Sequence, residues 1–344
     1  MFPKHTIPLA LVCSLAVACR TACPVRYEAR ATAMGTEFRV VVYDRDEGHA
    51  LSVMQRALSR IQQIDGVLSD YSAGSELRRF TEAGREAGAG TVSPDLWRTL
   101  VLAEQVSFRT GGAFDMTVGP LVRLWRRAFR QAELPDPDAI AAALRKVGWQ
   151  GVAMDRSAHS AWPTTAGMGL DAGGIGKGYA LDQAMELIQE EGITSALVEG
   201  GGDLVVSAAP PGRRGWRIRL AWSEGLATGP TLLLAHNAVA TSGDLYQFLE
   251  LDGMVYSHIL DPRTGWALTG SRRATVVGPS GAIADGLASA LCVDGPAGIV
   301  NFIESWPGVE AIVLERDPAN GETVSCGSEG WAAMMEMAVG TGSR

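Results

Sequence analysis

The sequence predicts an α+β fold with largely antiparallel pairing, and three observations carry that prediction. Apolar residues recur at helical spacing in several stretches of the first two thirds of the chain. Short β-like runs separated by turn residues crowd the last 150 or so positions. Helices and strands do not alternate regularly enough for a doubly wound parallel sheet.

Taken in order, Phe38-Arg39-Val40-Val41-Val42-Tyr43 reads as a strand, and Leu51, Met54, Leu58 and Ile61 then repeat as one face of a helix. Ser93-Pro94 supplies a cap and a first-turn proline for a second helix, whose stripe of Leu96, Leu100, Ala103 and Val106 runs until Gly111-Gly112 stops it. Glu133 to Asp138 reads as a loop, a surface excursion that ends in an aspartate cap for a short alanine-rich helix. Leu181, Ala184, Met185 and Ile188 mark a further helix from Tyr179 to Glu190, followed by a strand at Ala196-Leu197-Val198. Beyond it, Val205-Val206, Trp216 to Leu220, Leu232 to Leu234, Val255-Tyr256 and Ala274 to Val277 are the β-like runs. There is no internal repeat or low-complexity linker; a domain boundary near 170 fits the sequence, but no shift in composition requires one.

The chain has 344 residues with a formal net charge of −8, and 47% of the residues are hydrophobic. That is enough apolar material for a packed core without disulfide or metal staples. With no basic stripe to neutralise a phosphate backbone, nucleic acid is not an expected partner. The apolar run from Leu9 to Ala18, preceded by Lys4 and His5, is too short for a membrane span and suits an export signal, so residues 1–18 are expected to be a signal peptide. Ala16-Val17-Ala18-Cys19 reads either as a plain cleavage site or as a lipobox whose Cys19 becomes lipidated, although Leu15 stands one position too far from the cysteine for the usual lipobox. Residues 19–30 would then be a tether and 31–335 one catalytic domain. An exported protein on the periplasmic side of the inner membrane, held there by the lipid if Cys19 is acylated, is the expectation that follows. Cys292, within Ala290-Leu291-Cys292-Val293, reads as a buried small hydrophobe, and no zinc spacing appears.

Glycine makes up 41 positions, against an average near ~7% of residues. The densest cluster, Gly167 to Gly178, opens directly into a helix and carries Asp171 and Lys177. Helix N-termini present free N–H groups and partial positive charge, so a lysine there favours a phosphate. It is not a Walker A loop, because Asp171 and Gly178 stand where that pattern needs glycine and a hydroxyl residue. A glycine-rich turn with a solvated lysine reads equally well. Asp285 and Ser289 lie four apart on one helix face, oxygen ligands suited to a hard cation such as Mg²⁺, although such a pair on its own is more often plain surface. His258 precedes the turn Asp261-Pro262-Arg263-Thr264-Gly265 and reads as a base or as a structural histidine. Gly111 to Asp115 and Glu199 to Asp203 pair glycines with a carboxylate, in turns or in a nucleotide cradle.

Together and in order, Met34-Gly35-Thr36, Ser69-Asp70-Tyr71 with Ser75-Glu76, Gly112 to Asp115, Asp171 to Gly178, Gly201-Gly202-Asp203, Thr241 to Asp244, His258 to Gly265 and Ala284-Asp285-Gly286 form a specific set. The set resembles the ApbE family, the FAD:protein FMN transferases, from about Met34 to Val313. The resemblance implies two subdomains of mixed, largely antiparallel sheet (ApbE-like, T-fold-like) with FAD in the cleft between them, and Mg²⁺-dependent transfer of FMN to a threonine of a target flavoprotein subunit in a respiratory or redox complex. It also implies an exported protein, often a lipoprotein. By position, Met34 and Tyr71 would contact the flavin end, Ala113, Phe114 and Asp115 another part of FAD, and Asp171, Lys177 and Leu260 further parts. Gly174 through its carbonyl, Asp285 and Ser289 would hold the metal. Serine replaces the commoner threonine at Ser289, Ala288 replaces an aspartate found in some members, and Leu245-Tyr246-Gln247 departs from the usual pattern. His258 is the candidate catalytic base, with Asp261 as orienting partner. The same site admitting water would be an FAD pyrophosphatase, and a non-catalytic exported flavin-binding protein is the alternative from another class.

Overall fold

The structure, a computed structural model, describes residues 23–83, 90–220, 229–243, 248–251, 253–316 and 322–339. The signal segment, Cys19, Asp244 and Leu245-Tyr246-Gln247 lie outside those residues. The chain opens with β1 (Val25–Ala33) and β2 (Thr36–Asp44), an antiparallel hairpin closed by Met34 and Gly35. Both turn residues have positive φ, 49° and 72°, the primed turn geometry that matches the twist of paired strands. Residues 25–30, expected to be a tether, are instead the first part of β1, paired antiparallel with β2 without a break from Val25 to Ala33.

Helices α1 (Glu47–Leu68), α2 (Glu76–Ala83), α3 (Pro94–Arg109), α4 (Gly119–Gln131) and α5 (Pro137–Leu144) fill most of the next hundred residues. The short β3 (Gly90–Thr91), β4 (Val152–Asp155) and β5 (Ser160–Pro163) make a small antiparallel sheet. Helix α6 (Gly176–Glu190) leads into β6 (Ala196–Gly200), β7 (Asp203–Val206), the pair β8 (Trp216–Arg219) and β9 (Thr231–Leu234), and β10 (Asn237–Gly243). Then come β11 (Phe248–Leu251), β12 (Met254–Leu260) and β13 (Ala267–Thr269), a second small sheet. The chain ends with β14 (Ser271–Gly278), α7 (Gly281–Asp294), a π turn at Ile299–Ile303, β15 (Glu310–Arg316), β16 (Thr323–Gly327) and α8 (Trp331–Val339).

An eight-stranded antiparallel sheet, ordered β1-β2-β6-β7-β10-β14-β15-β16, organises the molecule. Strand alternation decides which layer each residue enters. Phe38, Val40 and Val42 of β2, Ala274 and Val276 of β14, and Ala311 and Val313 of β15 face the main core with α1, α6 and α7. Val41, Val277, Ile312 and Leu314 face the opposite side, where β8, β9 and Trp331 of α8 cover them. A third cluster packs Leu121, Trp125 and Ala128 of α4 against Ile140 and Ala143 of α5 and Leu260 of β12.

Ser93 caps α3 as predicted, accepting from Leu96 N at 3.2 Å. The loop before α5 lies on the surface as expected, with Glu133, Leu134, Asp136 and Asp138 exposed, and only the helix after it is anchored, Ile140 and Ala143 of α5 being buried against α4. The cap of that helix is corrected to Asp136, which accepts from Asp138 N at 2.9 Å, because Pro137 takes the first helical position. Cys292 is fully buried, as its apolar neighbours imply.

Candidate active site

Helices α6 and α7 cross at a pair of glycines. A Cβ on Gly281 would lie 2.7 Å from the Gly178 carbonyl oxygen, and one on Gly178 would run into the Gly281 carbonyl. Gly178 is therefore a packing residue, and the close approach sets the start of α6 against the first turns of α7. Asp182 of α6 reinforces the contact by accepting from Gly281 N (2.6 Å), Ala282 N (3.0 Å) and Ser280 Oγ (2.8 Å).

That crossing assembles the polar centre. Asp285, 2% exposed, accepts from Gly178 N at 3.2 Å and lies 3.5 Å from Lys177 Nζ. Lys177 Nζ donates at 2.6 Å to Asp203, which is equally buried and whose other oxygen accepts from Thr241 N at 3.0 Å. Burial works against the lysine's charge, but Asp285 and Asp203 outweigh it and hold the ammonium well above the usual lysine range. Burial, opposed by Lys177 and reinforced by the charge on Asp203, pushes Asp285 up to about 6. One turn along α7, Ser289 Oγ stands 3.3 Å from Ser242 Oγ of β10. A Cβ on Gly174 would lie 2.9 Å from Ser289 Oγ and 3.3 Å from the Phe114 ring, so only glycine leaves that corner open. Carboxylate, two hydroxyls and a backbone segment thus converge as oxygen donors that suit a hard cation, which completes its shell with water. Among the described residues no group of three or more His, Cys, Asp or Glu side chains forms a metal cage.

A second group lies at the other end of the same glycine-rich loop. Asp171 accepts from Gly173 N at 2.7 Å and from Arg126 Nη2 at 3.2 Å, and Arg126 also pairs with Asp70. Burial, then repulsion from Asp70, pushes Asp171 up to about 6. The Arg126 guanidinium lies 4.3 Å from the ring centre of Tyr71, which is 77% exposed and offers an open aromatic face. Phe114 is buried beside Gly174, and Ala113 belongs to the main core. Asp115 is buried with its oxygens engaged by Thr117 N (2.8 Å), Thr117 Oγ1 (2.6 Å) and Trp149 N (2.8 Å), which makes it a brace for the loop before α4.

Met34 donates its N–H to Asp65 at 2.8 Å, and the neighbouring Thr36 borders Gly201, whose Cβ position is 3.4 Å from both Thr36 Cγ2 and Lys177 Cδ. The β1–β2 turn therefore sits beside the lysine. Leu260 is buried in the α4–α5 cluster. His258 is exposed on β12, in a bulge where four steps from Tyr256 to Leu260 oppose two from Thr269 to Ala267. Asp261, expected to orient His258, instead accepts from Arg263 N and Nε, both at 2.9 Å, while Arg263 reaches Asp294 at the end of α7 at 2.7 Å.

Sequence reasoning did not single out Asp203 as the anchor of Lys177, Ser242 as the neighbour of Ser289, or Arg126 with Asp70 as the partners of Asp171. Gly202-Asp203 and Thr241-Ser242 were visible as motifs, but their contacts span 26 to 47 residues of chain, and no local spacing reports them.

The model of the ApbE family matches residues 34–313. An FAD:protein FMN transferase of Treponema pallidum (strain Nichols) is 32% identical over 307 residues, covering 83% of this chain and 83% of that protein. One from Salmonella typhimurium is 30% identical over 294 residues, covering 83% and 84%. Among solved structures, the apo form of Pseudomonas stutzeri flavinyl transferase ApbE superposes with a TM-score of 0.79 at 26% identity, covering 91% of this chain and 98% of that one. The ApbE protein of Thermotoga maritima gives 0.80 at 27% identity, covering 90% and 99%.

Proposed function

Since this chain belongs to the ApbE family, we propose that it is an FAD:protein FMN transferase, moving FMN from FAD onto a threonine hydroxyl of a target flavoprotein. The observation that carries this reading is the Lys177 ammonium held between Asp203 and Asp285 at the start of α6, with Ser289, Ser242 and Gly174 alongside. A cation fixed by two buried carboxylates at a helix N-terminus does not reorient when an anion arrives, which is the preorganisation that charge stabilisation needs.

FAD is FMN joined to AMP by a pyrophosphate. The acceptor oxygen forms a bond to the FMN-side phosphorus, the anhydride bond to the AMP phosphate breaks, and AMP carries away the electron pair. Lys177 and the N-terminal turn of α6 hold the phosphates in line, and the exposed ring of Tyr71 stacks on the isoalloxazine. Asp171 and Met34 position the rest of the dinucleotide. Asp285, Ser289, Ser242 and the Gly174 carbonyl would hold Mg²⁺, which when bound supplies neutralisation of the charge that builds on the pyrophosphate oxygens. His258, exposed in the β12 bulge, takes the acceptor proton, a contribution of ~10²–10⁴-fold for a well-placed base. The site works outside the cytoplasm, delivered by the signal in residues 1–18 and anchored through Cys19. Labelling with a fatty acid that disappears in Cys19→Ala tests the anchor.

The transfer itself is tested by incubating the mature protein with FAD, Mg²⁺ and threonine-bearing flavoprotein subunits. Flavin fluorescence should stay on the denatured subunit, with one AMP released per flavin attached. Free FMN and AMP without labelled protein across all subunits would replace the transferase with a hydrolase.

A further inference from the structure

Helix α4 carries Arg123, Arg126, Arg127 and Arg130 and no acidic residue, in a chain whose net charge is −8. At 3.6 residues per turn, Arg123, Arg127 and Arg130 fall within an arc of about 60°. All three residues are exposed, although the Arg123 guanidinium lies against Gly169 and is partly desolvated there. The opposite face, Leu121, Trp125 and Ala128, is buried in the α4–α5–β12 cluster, so the helix cannot roll to hide its charge. Among the described residues Arg123 and Arg130 have no ion-pair partner, and Arg127 has only the neutral Gln131, at 2.9 Å. Like charges three and four residues apart repel, so this face costs the free protein stability. Burial and the nearby Arg78 and Arg126 push the Arg123 guanidinium down, although Asp171 and Asp70 counter them.

The arginine face runs into the candidate site. Arg126, at its edge, pairs with Asp70 and Asp171 and lies 4.3 Å from the Tyr71 ring centre. A transferase must bring a protein hydroxyl to that place, and its affinity for the acceptor has to come from surface beside the flavin.

We infer that the arginine face of α4 docks an acidic segment of the acceptor protein close to its acceptor threonine. This rests on the transferase reading above. Charge complementarity selects the occupant: an unpaired cationic row attracts carboxylates and speeds encounter. An anionic membrane fits less well, because interfacial helices need an apolar face to insert and that of α4 is already spent on α5 and β12.

Two labelled threonine peptides, one with Asp and Glu around the threonine and one with Asn and Gln instead, are titrated with the mature protein and followed by fluorescence anisotropy. The acidic peptide should bind about tenfold or more tighter at low salt, and the preference should shrink as salt rises. The combined change Arg123→Glu, Arg127→Glu and Arg130→Glu should abolish the preference, whereas lysine at the same three positions should keep it. Should the glutamate protein fail to fold, the triple Gln variant reads the same loss. Equal binding of the two peptides by the wild type overturns the inference, as does a preference that survives charge removal. Capture by phosphatidylserine-rich vesicles that the acidic peptide cannot displace also overturns it. A parallel flavin-fluorescence titration of the wild type with FAD keeps the two readings separate: absence of FAD binding defeats the transferase, while the peptide arms judge the docking face alone.

Discussion

Lys177 is the side chain on which the polar centre turns, because its ammonium bridges Asp203 and Asp285. Replacing it by methionine leaves two buried carboxylates facing each other without a cation. Breaking a buried pair in this way costs about 3–5 kcal/mol. Lys177→Met should therefore lower the urea midpoint strongly, and adding Asp203→Asn should return part of the loss. Strictly additive effects in that double-mutant cycle would show that the lysine and the aspartate do not act as a unit. Asp171 makes the opposite kind of prediction. Its folded pKa, raised to about 6, lies above the unfolded value of about 3.9. Between those values the folded chain still holds a proton that the unfolded chain has released, so this group's ionisation erodes stability as pH rises through the window. Asp171→Asn should be more stable than the wild type above pH ~6, by about 1–3 kcal/mol, with the advantage vanishing below pH ~4. Denaturation midpoints at both ends of the range measure it, and a pH-independent difference would contradict the shift. Residue types were the legible part of this site. Asp171, Lys177, Asp285 and Ser289 announce anion and cation chemistry by kind and spacing, while Asp203, Ser242 and Arg126 join only through tertiary contacts that no periodicity encodes.

Helices α6 and α7 show what a glycine can mean at the level of an element. In the sequence Gly178 reads as one more member of a ligand loop, but folding turns it into the contact through which two helices touch. The helix also begins at Gly176, ahead of the expected Tyr179, because glycines mask the periodic signal in the first turn while tertiary packing supplies the missing propensity. Gly178→Ala should push α6 from α7 and destabilise by roughly 1–3 kcal/mol, the usual cost of overpacking, and it should weaken FAD binding as Lys177 moves relative to Asp285. Gly66 is the internal contrast. It lies exposed in α1, has no positive φ, and a Cβ there would meet nothing within 4 Å. Gly66→Ala should stabilise by about 0.5–1 kcal/mol. Thermal midpoints of the two variants should move in opposite directions, and a shared direction would mean that helix propensity rather than close packing governs both. The strongly patterned α1 and α3 were readable in advance, as was β2. Strand β1 was not: Val25, Tyr27, Ala29, Ala31 and Ala33 do alternate with Arg26, Glu28, Arg30 and Thr32, but three of the five apolar positions are alanine, a poor strand former that gives the alternation little hydrophobic contrast.

For the molecule as a whole, the eight-stranded sheet separates two cores with different duties. The helices that carry Lys177, Asp285 and Ser289 lie on one face, and β8, β9 and α8 seal the other. The antiparallel α+β class was legible from the run of short strands, whereas the order in which strands join the sheet depends on long-range pairing such as β2 with β6. This division predicts that stability and catalysis can be perturbed separately. Trp331 at the start of α8 is buried in the core on that face, where α8 packs on β9 and β15, and it donates its indole N–H to Met335 Sδ at 3.1 Å. Trp331→Ala removes a large side chain from that far core and should cost about 3–5 kcal/mol. The packing around α6 and α7 is untouched, so KM for FAD at a temperature where the variant remains folded should equal that of the wild type. Urea unfolding and FAD kinetics on the same preparation decide the matter. A KM that rises alongside the stability loss would mean that the sheet transmits strain from one face to the other and that the two cores act as one.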